Sequence, residues 1–94
     1  IETAPTALVT GAGRGIGLAI AHSLATTHRL LLVGRDAARL DAAAREVDQG
    51  LGVEAVPVDL SVRAATLALC ESLATRTVDV LVNNAGLAHS APLH

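Results

Sequence analysis

The chain has no Phe, Tyr, Trp, Met or Lys in 94 residues, a single cysteine, and no long hydrophobic run. Each lack excludes something. Without Lys, all basic residues are Arg, and with a formal net charge of -2 there is no basic field of the kind that binds nucleic acid. One cysteine, Cys70, rules out an intrachain disulfide and a cysteine-based metal centre, and its neighbours Leu69 and Leu73 imply a buried thiol. The apolar runs reach only about five residues against the roughly 20 needed to span a bilayer, and no charged segment precedes an apolar one at the start. The expectation is a cytoplasmic protein with no membrane and no nucleic-acid partner.

What is present is 51% apolar residues, distributed as short Val- and Leu-rich runs separated by longer amphipathic stretches. That alternation implies βαβ units and a parallel sheet. Strands are expected near Ala7 to Thr10, Leu30 to Val33, Val53 to Val58 and Val80 to Asn83. Continuous runs such as Leu30-Leu31-Leu32-Val33 fit strands covered on both faces. Between them Ile16, Ile20 and Leu24, then Leu40, Ala44 and Val47, then Val62, Thr66, Leu69 and Leu73 recur at helical spacing. Asp36 and Ser61 stand where they could cap the second and third helices, and Gly50 and Gly52 punctuate the exit of the second. An exposed i,i+4 pair is expected between Asp41 and Arg45.

Right-handed crossovers order the strands 3-2-1-4, with a topological switch between the first and fourth. A crevice then opens at the carboxyl ends of the strands. The unusual sequence falls there: TGAGRGIG after the first strand, GRD after the second, DLS after the third and NNAG after the fourth. Gly11 can let the chain turn out of the strand, Gly15 can let backbone approach a ligand, and Gly17 can let the helix pack tightly. A helix starting there offers unpaired amides and a positive dipole end to a pyrophosphate. From the glycines alone, a tight turn without a ligand remains open.

The spacing matches neither G-x-G-x-x-G nor a Walker A loop, because Ile16 stands where the former needs glycine and no Gly-Lys pair occurs. Thr10-Gly11-x-x-x-Gly15-x-Gly17 together with Asn83-Asn84-Ala85-Gly86 closely resembles the short-chain dehydrogenase/reductase family over essentially the whole chain. The resemblance implies a Rossmann-type α/β fold, a doubly wound parallel sheet of which residues 1–94 are the amino-terminal dinucleotide-binding half. It makes the glycine segment, including Gly13 and Ile16, a cofactor site. It implies that Asp59 accepts from the adenine amino group, that the Leu60 backbone completes the adenine edge, and that the Asn83-Asn84-Ala85-Gly86 segment borders the adenosine ribose and steadies the middle of the sheet, the alternative being that its asparagines only satisfy loop backbone groups.

The resemblance also points to a cofactor. A NAD-preferring member carries an acid at the end of the second strand, the place held here by Gly34. Arg35 beside it offers a planar fork to phosphate oxygens, and Arg14 stands where NADP-dependent members often carry a basic residue. NADP (NADPH) is the expected cofactor. Arg39, Arg45, Arg63 and Arg76 are expected to be solvated.

The family's Ser and Tyr-x-x-x-Lys group has no counterpart here, because the chain contains no Tyr and no Lys. No catalytic residue is assigned. His22 and His28 are expected to be solvated, and His89 and His94 have no assigned role. The fourth strand would leave an unpaired edge, so an enzyme of roughly 250 residues is expected, of which this is one half. The expected function is an NADP(H)-dependent oxidoreductase interconverting a carbonyl and an alcohol, acting on a small molecule and assembled as a homo-oligomer, a tetramer or dimer. The alternative is a non-catalytic NADP(H)-binding sensor or scaffold of the same descent.

Overall fold

The computed structural model describes residues 4–84. The elements follow in the order β1 (Thr6–Thr10), α1 (Gly15–Leu24), β2 (Arg29–Gly34), α2 (Ala37–Val47), β3 (Val53–Pro57), α3 (Arg63–Leu73) and β4 (Val80–Val82). The four strands form one parallel sheet in the order β3-β2-β1-β4, as the crossover rule requires. Leu8 lies opposite Leu31 on β2 and Leu81 on β4, and Leu31 lies opposite Glu54 on β3.

The pleat divides each apolar run between two cores. Ala7, Val9, Leu30 and Leu32 face α1 and α2, where they meet Ala21, Ala25, Leu40, Ala43 and Val47. Leu8, Leu31 and Val33 face the other way, against Leu69 and Leu73 of α3. Burial on both sides is why β1 and β2 tolerate no polar alternation. Each fully buried Leu, such as Leu30, Leu32 or Leu40, contributes about 1.5–3 kcal/mol. The start of β1 is tied to β4 by reciprocal bonds: Thr6 N donates to Asp79 Oδ2 and Asp79 N donates to the Thr6 carbonyl, both at 2.8 Å.

Several local expectations need correcting. The buried face of α1 is built from Gly17, Ala21 and Leu24, with Ile16 66% exposed. At Gly17 α1 lies so close to the backbone of the preceding turn that no side chain has room. Ser61 does not cap α3. Its N–H and hydroxyl both donate to Asp59 Oδ1, at 2.9 and 2.6 Å, which shifts the cap to Val62, a residue without a capping side chain. Val62 is accordingly exposed. Cys70 is exposed too, since Leu69 and Leu73, one helical turn apart, take the inward face and Cys70 is rotated about 100° from Leu69.

Asp36 does cap α2, accepting from Arg39 N at 3.0 Å. Gly50 and Gly52 both adopt positive φ at the exit of that helix. Among the described residues Asp41 and Arg45 do not pair, the ion pairs that form are Asp36–Arg39 and Glu54–Arg76, and His22 Nε2 meets Glu46 Oε2. His22 therefore bridges α1 to α2 at 2.7 Å, and His28 Nδ1 lies 2.7 Å from Thr27 Oγ1. No helix among the described residues is long and apolar enough to cross a membrane.

Candidate functional site

A groove runs along the carboxyl ends of β1, β2 and β3. Its floor is the β1–α1 turn with Gly11, Gly13, Gly15 and Ile16, and Arg14 stands among them. One wall is the β2–α2 junction with Gly34, Arg35, Asp36, Arg39 and Leu40, and the other is Val58 to Ser61 after β3. Asn84 reaches the groove from beyond β4.

The turn is built by glycine in three separate ways. Gly11, at φ 63°, bends the chain off β1 through left-handed backbone that a side chain would strain. Gly15, at φ 62°, opens α1, and a Cβ there would meet nothing within 4 Å, so its backbone faces open space. Gly17 is the reverse case. A Cβ on it would overlap the Gly11 carbonyl oxygen and come within 2.7 Å of Asn84 Nδ2. The residue before α1, Arg14, is extended and caps nothing with its side chain, and the first turn carries no acid. The positive end of the α1 dipole is thus uncompensated at the groove floor, which suits an anion.

Thr10 and Asn83 link β1 to the segment after β4. The Thr10 hydroxyl lies 3.3 Å from Asn83 Oδ1 and 3.4 Å from the Val82 carbonyl. Asn84, only 8% exposed, donates from Nδ2 to the Gly11 carbonyl at 3.2 Å. That contact gives Asn84 a defined task in shaping the turn, which the resemblance had assigned only to the segment as a whole. Ala85, Gly86, His89 and His94 lie outside the described residues.

On the far wall Asp59 is half-buried, with Leu60 beside it. The Ser61 hydroxyl, then the Ser61 amide, and to a smaller extent the Arg35 charge, hold its carboxyl below the ordinary value of 3.8. Asp59 is therefore a carboxylate at any pH near neutrality, with Oδ1 occupied by Ser61. Three arginines line the groove: besides Arg14 and Arg35, Arg39 borders the same wall while its side chain stays exposed, as expected of a solvated residue. Its spacing from Asp36, one turn into a capped helix, was the available signal. Among the described residues no group of three His, Cys, Asp or Glu could hold a metal ion.

A family model described as short chain dehydrogenase matches residues 5–94. The chain is 43% identical over 83 residues to galactitol 2-dehydrogenase (L-tagatose-forming) of Cereibacter sphaeroides, which covers 87% of this chain and 33% of that protein. It is 45% identical over 87 residues to L-xylulose reductase of Bos taurus, covering 92% and 34%. Among solved structures, a short-chain dehydrogenase from Sphingobium yanoikuyae in complex with NADPH superimposes with a TM-score of 0.77 at 40% identity, over 82% of this chain and 32% of that one. L-sorbose reductase from Gluconobacter frateurii, complexed with NADPH and L-sorbose, does so with a TM-score of 0.74 at 34% identity, over 84% and 32%. The chain spans about a third of the length of these relatives.

Proposed function

The chain belongs to the short-chain dehydrogenase/reductase family, and on that premise we propose that it is the amino-terminal, cofactor-binding part of an NADP(H)-dependent oxidoreductase interconverting a carbonyl and an alcohol. The observation that carries the cofactor reading is one groove in which Arg14 and Arg35 flank a β2 end that has Gly34 in place of an acid. An acid there would repel the 2′-phosphate of NADP, and its absence with two guanidiniums nearby favours that phosphate. Related enzymes with NADPH or NADP in their structures support the same cofactor.

The residues present fit the group. The amides opening α1 and the open face of Gly15 would take the pyrophosphate, while the carboxylate of Asp59 would accept from the adenine amino group with Leu60 at the adenine edge. Asn83, Ala85 and Gly86 would border the adenosine ribose. When bound, NADP(H) supplies the hydride donor or acceptor. This chain's part is to bind and orient it, and no Tyr or Lys is present to move a proton.

The test is the dissociation constant of NADPH against NADH in the full-length protein carrying this chain. Charge-assisted hydrogen bonds contribute roughly 1.5–3 kcal/mol, so Arg35→Ala should weaken NADPH by about tenfold to a hundredfold. NADH should barely change. Equal weakening of both would refute the assignment.

A further inference from the structure

The β2–α2 wall contains a charge that does not suit a phosphate: Asp36 lines the groove directly after Arg35. As the cap of α2 it cannot turn away, because Oδ1 accepts from Arg39 N at 3.0 Å. Its other oxygen, Oδ2, lies 3.7 Å from Arg39 Nε. The Arg39 stem runs alongside the glycine turn. Its Cγ and Cδ pass so close to the glycine turn that a Cβ on Gly13 would sit 3.2 Å from each. One residue therefore presents its amide to one oxygen of Asp36 and its guanidinium to the other, with its stem passing beside the bare backbone of Gly13.

Charge makes the consequence definite. The groove wall holds Arg14, Arg35 and Arg39 against Asp36 and Asp59. Take away Arg39 and the cationic excess disappears, leaving an unpaired carboxylate next to Arg35. We infer that Arg39 is a positioning residue for cofactor choice, neutralising Asp36 so that the groove can accept a phosphate dianion beside Arg35. The inference rests on the NADP reading above and adds a residue that acts through Asp36 and not by touching the phosphate. Because both side chains are about half exposed, solvent screens the effect.

The test is a double-mutant cycle in the full-length protein, reading dissociation constants for NADPH and NADH by protein-to-nicotinamide fluorescence or calorimetry. Arg39→Met keeps the aliphatic stem over Gly13 and removes the charge, whereas Asp36→Asn keeps a good helix cap and removes the repulsion. For a screened pair of this kind, Arg39→Met should weaken NADPH by about two- to fivefold with NADH unchanged. In the Asp36→Asn background, where no carboxylate next to Arg35 is left to neutralise, the same substitution should have a clearly smaller effect, and Arg39→Lys should retain most of the wild-type preference. An equal NADPH loss in both backgrounds would mean direct phosphate contact and overturn the inference, as would no loss in either or a parallel loss of NADPH and NADH. Arg35→Ala, measured alongside, separates the two levels. If it leaves the NADPH-to-NADH ratio untouched, the phosphate reading itself fails. If it lowers the ratio while Arg39→Met does not, only the inference about Arg39 fails.

Discussion

Asn84 donates to the carbonyl of Gly11 at 3.2 Å, joining two residues 73 positions apart at the point where the chain leaves β1. The same amide nitrogen stands 2.7 Å from where a Cβ of Gly17 would be. Helix α1, the turn and the end of β4 thus share one small volume with no room for a methyl group. Replacing Asn84 by Ala leaves the Gly11 carbonyl without this partner in a buried setting. The expected loss is about 1–3 kcal/mol of stability, read as a lower denaturant midpoint with an unchanged slope. Asn84→Ala should also weaken NADPH and NADH alike, since the turn serves the part common to both.

Gly17→Ala attacks the same contact from the other side. The added Cβ would overlap the Gly11 carbonyl, which is backbone and cannot swing aside, so α1 must shift off the sheet. Overpacking of this kind costs about 1–3 kcal/mol. A thermal melt of Gly17→Ala at or above the wild-type midpoint would show that the helix has slack the structure does not reveal.

Gly15 is expected to behave in the opposite manner to Gly17. Space around it is open, so Gly15→Val clashes with nothing and the strain of a β-branched residue at φ 62° stays local to the turn, leaving the two sheet cores in place. Cofactor binding should be lost, because the side chain fills the space above the α1 amides. Fluorescence titration with NADPH, with circular dichroism as the check on folding, tests it. A folded Gly15→Val protein with wild-type affinity removes the pyrophosphate from this site.

The sheet order was legible in advance because continuous apolar runs alternating with amphipathic stretches leave few alternatives once crossovers are right-handed. The site's location was legible for the same reason: Gly11, Gly34, Asp59 and Asn83 all stand at or just beyond strand carboxyl ends. The inward face of α1 was not. Hydrophobicity ranks Ile16 and Ile20 above Gly17 and Ala21, yet the distance of approach, fixed by the Gly11 carbonyl, reverses the ranking. Ser61 was misread as a cap because it bonds the carboxylate of Asp59 through a turn whose shape residue type does not encode.

Ser61 bears on the titration of Asp59. Its hydroxyl is the foremost cause of the lowered carboxyl pKa, so Ser61→Ala should move that pKa up toward 3.8. A depressed folded-state value means that the ionised form stabilises the fold at pH above the unfolded value, and that this contribution is lost as pH falls through the folded one. Stability of wild type and Ser61→Ala should therefore differ near neutrality and converge in acid below pH 3.8. Carbon-detected NMR titration of the Asp59 carboxyl checks the shift directly. An unchanged midpoint in Ser61→Ala would mean that the hydroxyl does not bond the carboxylate in solution.

The last expectation concerns reversal of cofactor choice at the end of β2. Gly34 can carry a side chain: a Cβ there would lie 3.4 Å from the tip of Leu40, an ordinary contact, and its backbone is not left-handed. An aspartate at this place would repel the 2′-phosphate of NADP and accept from the adenosine ribose hydroxyls of NAD, so Gly34→Asp disfavours one cofactor and favours the other. Removing Arg35 at the same time leaves the phosphate without its principal cation. Gly34→Asp with Arg35→Ala should therefore invert the preference, whereas Arg14→Ala alone should give a smaller NADPH loss because Arg35 still holds the phosphate. The quantity to measure is the ratio of kcat/KM for NADPH over NADH in the full-length protein. A wild type that already prefers NADH, or a double variant that keeps the NADPH preference, would mean that the β2 end does not face the 2′ position.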